Sequence, residues 1–263
     1  MMALVGLKRF LVMAACLGMA GCATPPTASR ARVVDMPLAS AHADISFSLA
    51  TGSRQNAACD GKLNCPGQSD RAEATRFNRQ VQRIAGALQQ GADQLYPDLA
   101  QRVPGLAASR FDVYVVEGAE PGSASSANGR IALNAALGTG QPYDDWLAFV
   151  IAREMGHVIA RHHEENSAAS IATAVVMNIV IPGSGLLKSL VSAGGSGLAS
   201  SGKRDVQDLE ADAIASRLLE AAGFRLRDVS LSLRLAPALP NEGQWSNNFR
   251  RSSHNILSQV RKS

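Results

Sequence analysis

From Asp70 onward the apolar positions fall at helical spacing. Phe77, Val81, Ile84, Leu88 and Leu95 step by three, four and seven, and Pro97 stops the run. The stretch FDVYVVE (111–117) is β-rich and predicts a strand with both faces partly covered. GAEPGSASSANG then reads as turn material, and Asn128-Gly129 leads into a second strand, RIALN (130–134). Asp144 or Asp145 is expected to cap a helix whose Leu147, Val150, Ile151, Val158 and Ile159 face inward. DVQDLEADAIASRLLEAAG (205–223) predicts a further helix, with Gly223 in the position that ends it. In VSLSLRLA (229–236), Val229, Leu231, Leu233 and Leu235 alternate as in a strand. The polar tail NEGQWSNNFRRSSHNILSQVRKS offers no evident core.

Two regions break this pattern. Residues 167–200 are rich in apolar and small side chains, but the run Ile171–Ile181 is interrupted by Pro182-Gly183. It falls well short of the roughly 20 residues of a spanning helix. A packed, partly mobile hairpin is the favoured reading, and a flap over a groove is the other. At the N-terminus, Lys8 and Arg9 precede the apolar run FLVMAACLGMA and then Gly21-Cys22, the form of a bacterial export signal. Met19-Ala20-Gly21-Cys22 resembles a lipobox, which predicts cleavage before Cys22, acylation of its thiol and, with Ala23 next, an outer-membrane location facing the periplasm. Ordinary cleavage after Ala20 would instead leave a soluble periplasmic protein. TPPTASRAR then reads as a polar tether, and ISFSLA (45–50) as a short strand. Of the four cysteines, Cys16 leaves with the signal, while Cys59 and Cys65 suit a small disulfide loop in an oxidising compartment.

Charge narrows the partners. Loss of Lys8 and Arg9 leaves 24 basic against 22 acidic residues, and no basic patch carries interleaved aromatics, so nucleic acid is not expected. The expected organisation is a signal over 1–21, a lipid-anchored tether with the Cys59–Cys65 loop over 22–69, a folded domain over 70–240 and a polar tail over 241–263.

The chemistry-bearing stretch is IAREMGHVIARHH (151–163). In an H-E-x-x-H helix, residues four apart share one face, so two imidazoles reach one zinc ion while the Glu between them activates its water. Here Arg153 and His157 hold the four-apart positions, with Glu154 after the first. DDWLAFVIAREMGHVIARH followed by DLEADAIASRLLEAAGF resembles the HtpX/BepA-like family of gluzincin zinc metalloendopeptidases, from about Asp70 to Leu235. The resemblance implies an α+β fold, a mainly helical metallopeptidase domain with a small β-sheet beside the zinc helix. It also implies that VSLSLRLA is a helix despite its alternation. By position, it implies Glu154 as general base, His157 as second ligand, Asp208 as third ligand in place of Glu, and Asp212 as the carboxylate that orients the first ligand. Arg153 stands where that family has its first His.

Arginine stays protonated and has no lone pair to give a metal, so zinc is expected to be absent or weakly bound. A fork of Arg153 with Asp208 and Asp212 would then link the two helices in its place. His162 and His163 are expected as a solvated cationic helix end, favourable against the helix dipole. His254 is a weak candidate to approach the site from the tail, and His42 has no context. The expected role is binding of envelope proteins or peptides in quality control or assembly without cleavage. The alternative is an active zinc metalloendopeptidase that degrades misfolded envelope proteins.

Overall fold

A computed structural model describes residues 22–23, 32–33, 68–103, 106, 110–116, 121–140, 142–166, 201–236 and 244–260. The Cys59–Cys65 loop, the strand expected over 45–50 and the apolar stretch 167–200 lie outside the described residues. Near the N-terminus, β1 (Cys22–Ala23) pairs antiparallel with β2 (Arg32–Val33). Then come α1 (Gln68–Leu95), α2 (Leu99–Arg102), β3 (Asp112–Val116), β4 (Ser123–Ser125), β5 (Arg130–Asn134) and a 3-10 turn (Ala135–Gly138). They are followed by α3 (Asp144–Ile159), α4 (Ser201–Ala221), α5 (Leu226–Leu235) and α6 (Gln244–Val260). The architecture is α+β and mainly helical, with one small mixed sheet.

The sheet has the order β3-β5-β4. β5 is central, parallel to β3 and antiparallel to β4. Strand β4 was not expected, because Ser-Ala-Ser carries no β-branched or large apolar residue. It forms because its backbone completes a hairpin with β5 across Ser126–Gly129, where Gly129 adopts a φ of 81°. Its serines also reach across to α3, as described below.

α3 is the centre of the fold. Trp146 to Gly156 are buried without a break, and so are Val158 and Ile159, so the helix is enclosed on nearly every side. Its start differs from expectation. Tyr143 takes the N-cap position with no side-chain cap, and Asp144 in the first turn accepts instead from Gln80 and, on both oxygens, from Arg83 Nη2. α1 packs Phe77, Val81, Ile84, Leu88 and Ala92 inward, while Leu95 stays partly exposed and Tyr96 takes the next inner place. α4 lies against α3 at Gly156, where a Cβ would stand 2.5 Å from the Ala211 carbonyl oxygen. Any larger residue there would push the two helix backbones apart.

α4 ends as expected. Gly223 takes a φ of 86°, and the Phe224 amide reaches back to the Leu219 carbonyl in a Schellman turn. α5 is a helix despite its alternating sequence. The tail expected to lack a core instead forms α6, which buries Phe249 and Ile256 along with Ser246 and Ser252. Phe249 packs against Trp146 and Phe149 and stacks on Trp245.

Candidate functional site

α3 presents Arg153, Glu154 and His157 on adjacent turns, where Arg153 and Glu154 are buried and His157 is partly exposed. Arg153 is buried, only 5% exposed. Its Nη2 donates to Asp208 Oδ1 at 2.6 Å and its Nε donates to Ser252 Oγ at 2.8 Å. Asp212, fully buried, has Oδ1 3.4 Å from Arg153 Nε and accepts from Asn255 Nδ2 on Oδ2 at 2.8 Å. The Arg153–Asp208 pairing expected from the sequence is thus formed, with Asp212 as a longer charge contact. The two helper groups, Ser252 and Asn255, come from the tail. His254 is exposed and does not join them. Their i, i+3 spacing on a helix was the one available signal, hidden because the polar tail gave no reason to place a helix there.

These carboxylates are incompletely satisfied. Among the described residues, Asp208 Oδ2 and Asp212 Oδ1 have no hydrogen-bond partner, and Arg251 Nη2 approaches Asp208 Oδ2 only to 3.5 Å. Burial pushes both carboxyls above their ordinary value, and the Arg153 charge opposes it in each case.

Glu154 is held on both oxygens. Ser123 Oγ donates to Oε1 at 2.7 Å and Ser125 Oγ to Oε2 at 2.6 Å, so both acceptors of the carboxylate face β4. Trp245 Nε1 in turn donates to Ser123 Oγ at 2.8 Å. Neither serine was a sequence candidate, because their stretch read as turn.

The histidine pair after α3 is also not where the sequence placed it. Arg161 adopts a φ of 57°, which ends α3 and redirects the chain into a helical segment over 162–166. An uninterrupted helix would have carried His162 and His163 out to solvent. Instead His162 is buried, its Nε2 lies 2.9 Å from Glu210 Oε2, and its Nδ1 lies 2.9 Å from His157 Nδ1. His163 Nε2 sits 2.8 Å from Ser125 Oγ. One tautomer set satisfies the first chain: His162 donates through Nε2 to Glu210, and His157 donates through Nδ1 to His162. His157 then keeps its Nε2 lone pair, 3.7 Å from Asp208 Oδ1. Burial, then the Arg153 charge and the other two histidines, holds His157 well below the usual imidazole range, so it is neutral. Burial also lowers His163, against the pull of Glu154. Among the described residues, no group of three or more His, Cys, Asp or Glu side chains converges as a metal site.

The sequence model of peptidase family M48 matches residues 82–254. The chain belongs to peptidase family M48. The M48 match begins inside α1 and ends inside α6, so it takes in both helices of the buried ion network and the part of the tail helix that carries Ser252. M48 proteins are gluzincin-type metallopeptidases and zinc-dependent in general. No curated protein matches the chain.

Proposed function

We propose that this chain is an HtpX/BepA-like M48 protein in which Arg153 has replaced the metal, and that it binds envelope proteins in quality control or assembly without cleaving them. The observation that carries the reading is the guanidinium of Arg153, paired with Asp208 at 2.6 Å in the first-ligand position. Three further features support it. Of the three ligand positions, Arg153 has no lone pair to offer and Asp208 is engaged by the arginine through Oδ1, so a metal would meet only His157 Nε2 and the second oxygen of Asp208. A dication brought there would meet a fixed positive charge. The general-base position is equally committed, because both oxygens of Glu154 accept from serines. These residues do not fit a catalytic zinc ion.

Binding without cleavage uses what remains. β4 is an edge strand beside α3, and an extended peptide can add to such an edge through backbone hydrogen bonds. The location we propose is the periplasmic face of the outer membrane, anchored through lipid on Cys22. Its support is Met19-Ala20-Gly21-Cys22 after an apolar run.

A second reading, an active zinc metalloendopeptidase, draws on one observation: among the described residues, Asp208 Oδ2 and Asp212 Oδ1 are buried acceptors without hydrogen-bond partners. Metal analysis of the dialysed natural protein separates the two, with an unfolded envelope protein as substrate in parallel. The non-cleaving reading expects almost no zinc, retained binding and no cleavage. Stoichiometric zinc that is lost on His157→Ala, with cleavage of the substrate, would overturn it.

A further inference from the structure

The alternation in VSLSLRLA has a structural outcome that the buried site does not use. Wound as α5, four apolar residues spaced by two split into two pairs on opposite faces. Val229 and Leu233 turn toward the core, together with the buried Ser230 and Ser232. Leu231 and Leu235 turn outward and are 54% and 58% exposed. Two exposed arginines, Arg227 and Arg234, share that outer face. At helical spacing the four side chains lie within about 100° of one another. The helix therefore buries serines and exposes leucines, the reverse of what folding alone would select. Asp228 borders the face, and Arg225 neutralises it at 2.6 Å, so the surface there keeps a net positive charge.

We propose that this outer face of α5 docks on the anionic phospholipid surface to which the chain is anchored, with Leu231 and Leu235 entering the acyl boundary and Arg227 and Arg234 meeting headgroup phosphates. Two leucines with flanking arginines on one helix face match the composition of an interfacial helix. The positive charge selects anionic lipid and attracts it only within a short, salt-screened distance. This contact is too small to hold a free protein on a membrane. It acts once the lipid on Cys22 keeps the domain close, and so it rests on the anchoring proposed above. Docking through α5 would fix which side of the domain faces the membrane, and so fix the orientation of the β4 edge.

The test uses the full acylated chain carrying Leu235→Trp, reconstituted on vesicles that contain phosphatidylglycerol and brominated acyl chains. The natural protein supplies the background from Trp146 and Trp245. Bromine should quench the introduced indole roughly twofold or more. The quenching should fall away with added Leu231→Glu, with Arg227→Glu and Arg234→Glu together, with high salt, or with purely zwitterionic vesicles. Flotation separates the two ideas. A chain that floats while its indole stays unquenched and open to iodide refutes docking and leaves the anchor standing. A chain that does not float removes both. An indole shielded from iodide without any lipid also refutes docking, and points to a second copy if the shielding depends on concentration, or to the chain's own residues if it does not.

Discussion

Replacing Arg153 with alanine should be among the most damaging single changes in this protein, and its cost should depend on pH. The substitution removes the 2.6 Å bond to Asp208, the 2.8 Å bond to Ser252 and the charge contact to Asp212 together. Among the described residues, Asp212 would keep Asn255 as donor with the Ser252 hydroxyl beside it, and Asp208 would keep the long approach of Arg251. Stranding buried charge in this way costs about 3–5 kcal/mol at neutral pH. Both carboxyls already sit above the unfolded value of 3.8, and losing the Arg153 charge raises them further. A group raised on folding stabilises the native state below its unfolded pKa and loses that contribution as pH rises through the folded one. His157 moves the same way, because the variant no longer has the arginine that depresses it. The deficit relative to the natural protein should therefore be full at pH 7 and shrink as pH falls toward 4. Urea unfolding of both proteins at several pH values measures it. A deficit below about 1 kcal/mol at pH 7, or one independent of pH, would refute a buried arginine–carboxylate network of this kind. Adding Asp208→Asn and Asp212→Asn to the variant should recover much of the loss, since removing a whole buried ion set costs less than breaking it.

Three other outcomes follow from the same geometry and a fourth from the sequence. Arg153→His with Asp208→Glu rebuilds three ligands beside Glu154, with Asp212 placed to orient the new imidazole, so it should hold stoichiometric zinc after dialysis where the natural protein holds almost none; equal metal in both proteins would count against it. Glu154→Ala should cost about 2–4 kcal/mol in urea unfolding, because two hydroxyl bonds to a carboxylate tie β4 to α3. A loss under 0.5 kcal/mol, or roughly that, would show that Glu154 does no structural work. Gly156→Ala should destabilise by about 1–3 kcal/mol or more through its clash with the Ala211 carbonyl, and unchanged thermal unfolding would contradict that close approach. Mass spectrometry of the mature N-terminus should find lipid on Cys22 and a Cys59–Cys65 bridge; an unmodified terminus or two free thiols would defeat the respective claim.

Much of the frame was readable because it depends on periodicity. Phe77, Val81, Ile84 and Leu88 declare one face of α1, and RIALN coincides with β5 residue for residue. The pairing of Arg153 with Asp208 was also readable, since the two substitutions complement each other in charge and length. Three features were not readable, each for a physical reason. β4 consists of small polar residues whose value lies in what their hydroxyls reach, and no local pattern reports that. α6 buries serines and an asparagine contact because they serve a polar network, so its inner face looks like solvent-facing sequence. The fate of His162 and His163 turns on the positive φ of one non-glycine residue, Arg161. Helical extrapolation through that residue sends both histidines the wrong way.

The exchange of a metal for an arginine, proposed above, would explain how such a fold can outlast its chemistry. A zinc ion in an M48 domain does two things, linking the zinc helix to the next helix and supplying a Lewis acid. The first task needs only a positive charge between carboxylates, and Arg153 supplies it between Asp208 and Asp212. The second needs an open coordination position and a free general base, and on the proposed reading both are given up, because the cation is a hydrogen-bond donor and Glu154 accepts on both oxygens. The contacts that shape the site, from Gly156 on Ala211 to Trp245 on Ser123, do not depend on which cation sits between the helices. Selection on binding alone would keep those contacts and leave the ligand positions free to drift toward whichever cation is cheapest to retain. A covalently attached guanidinium is never lost to dilution or to a chelator, which is the difference that would favour the arginine on the proposed reading.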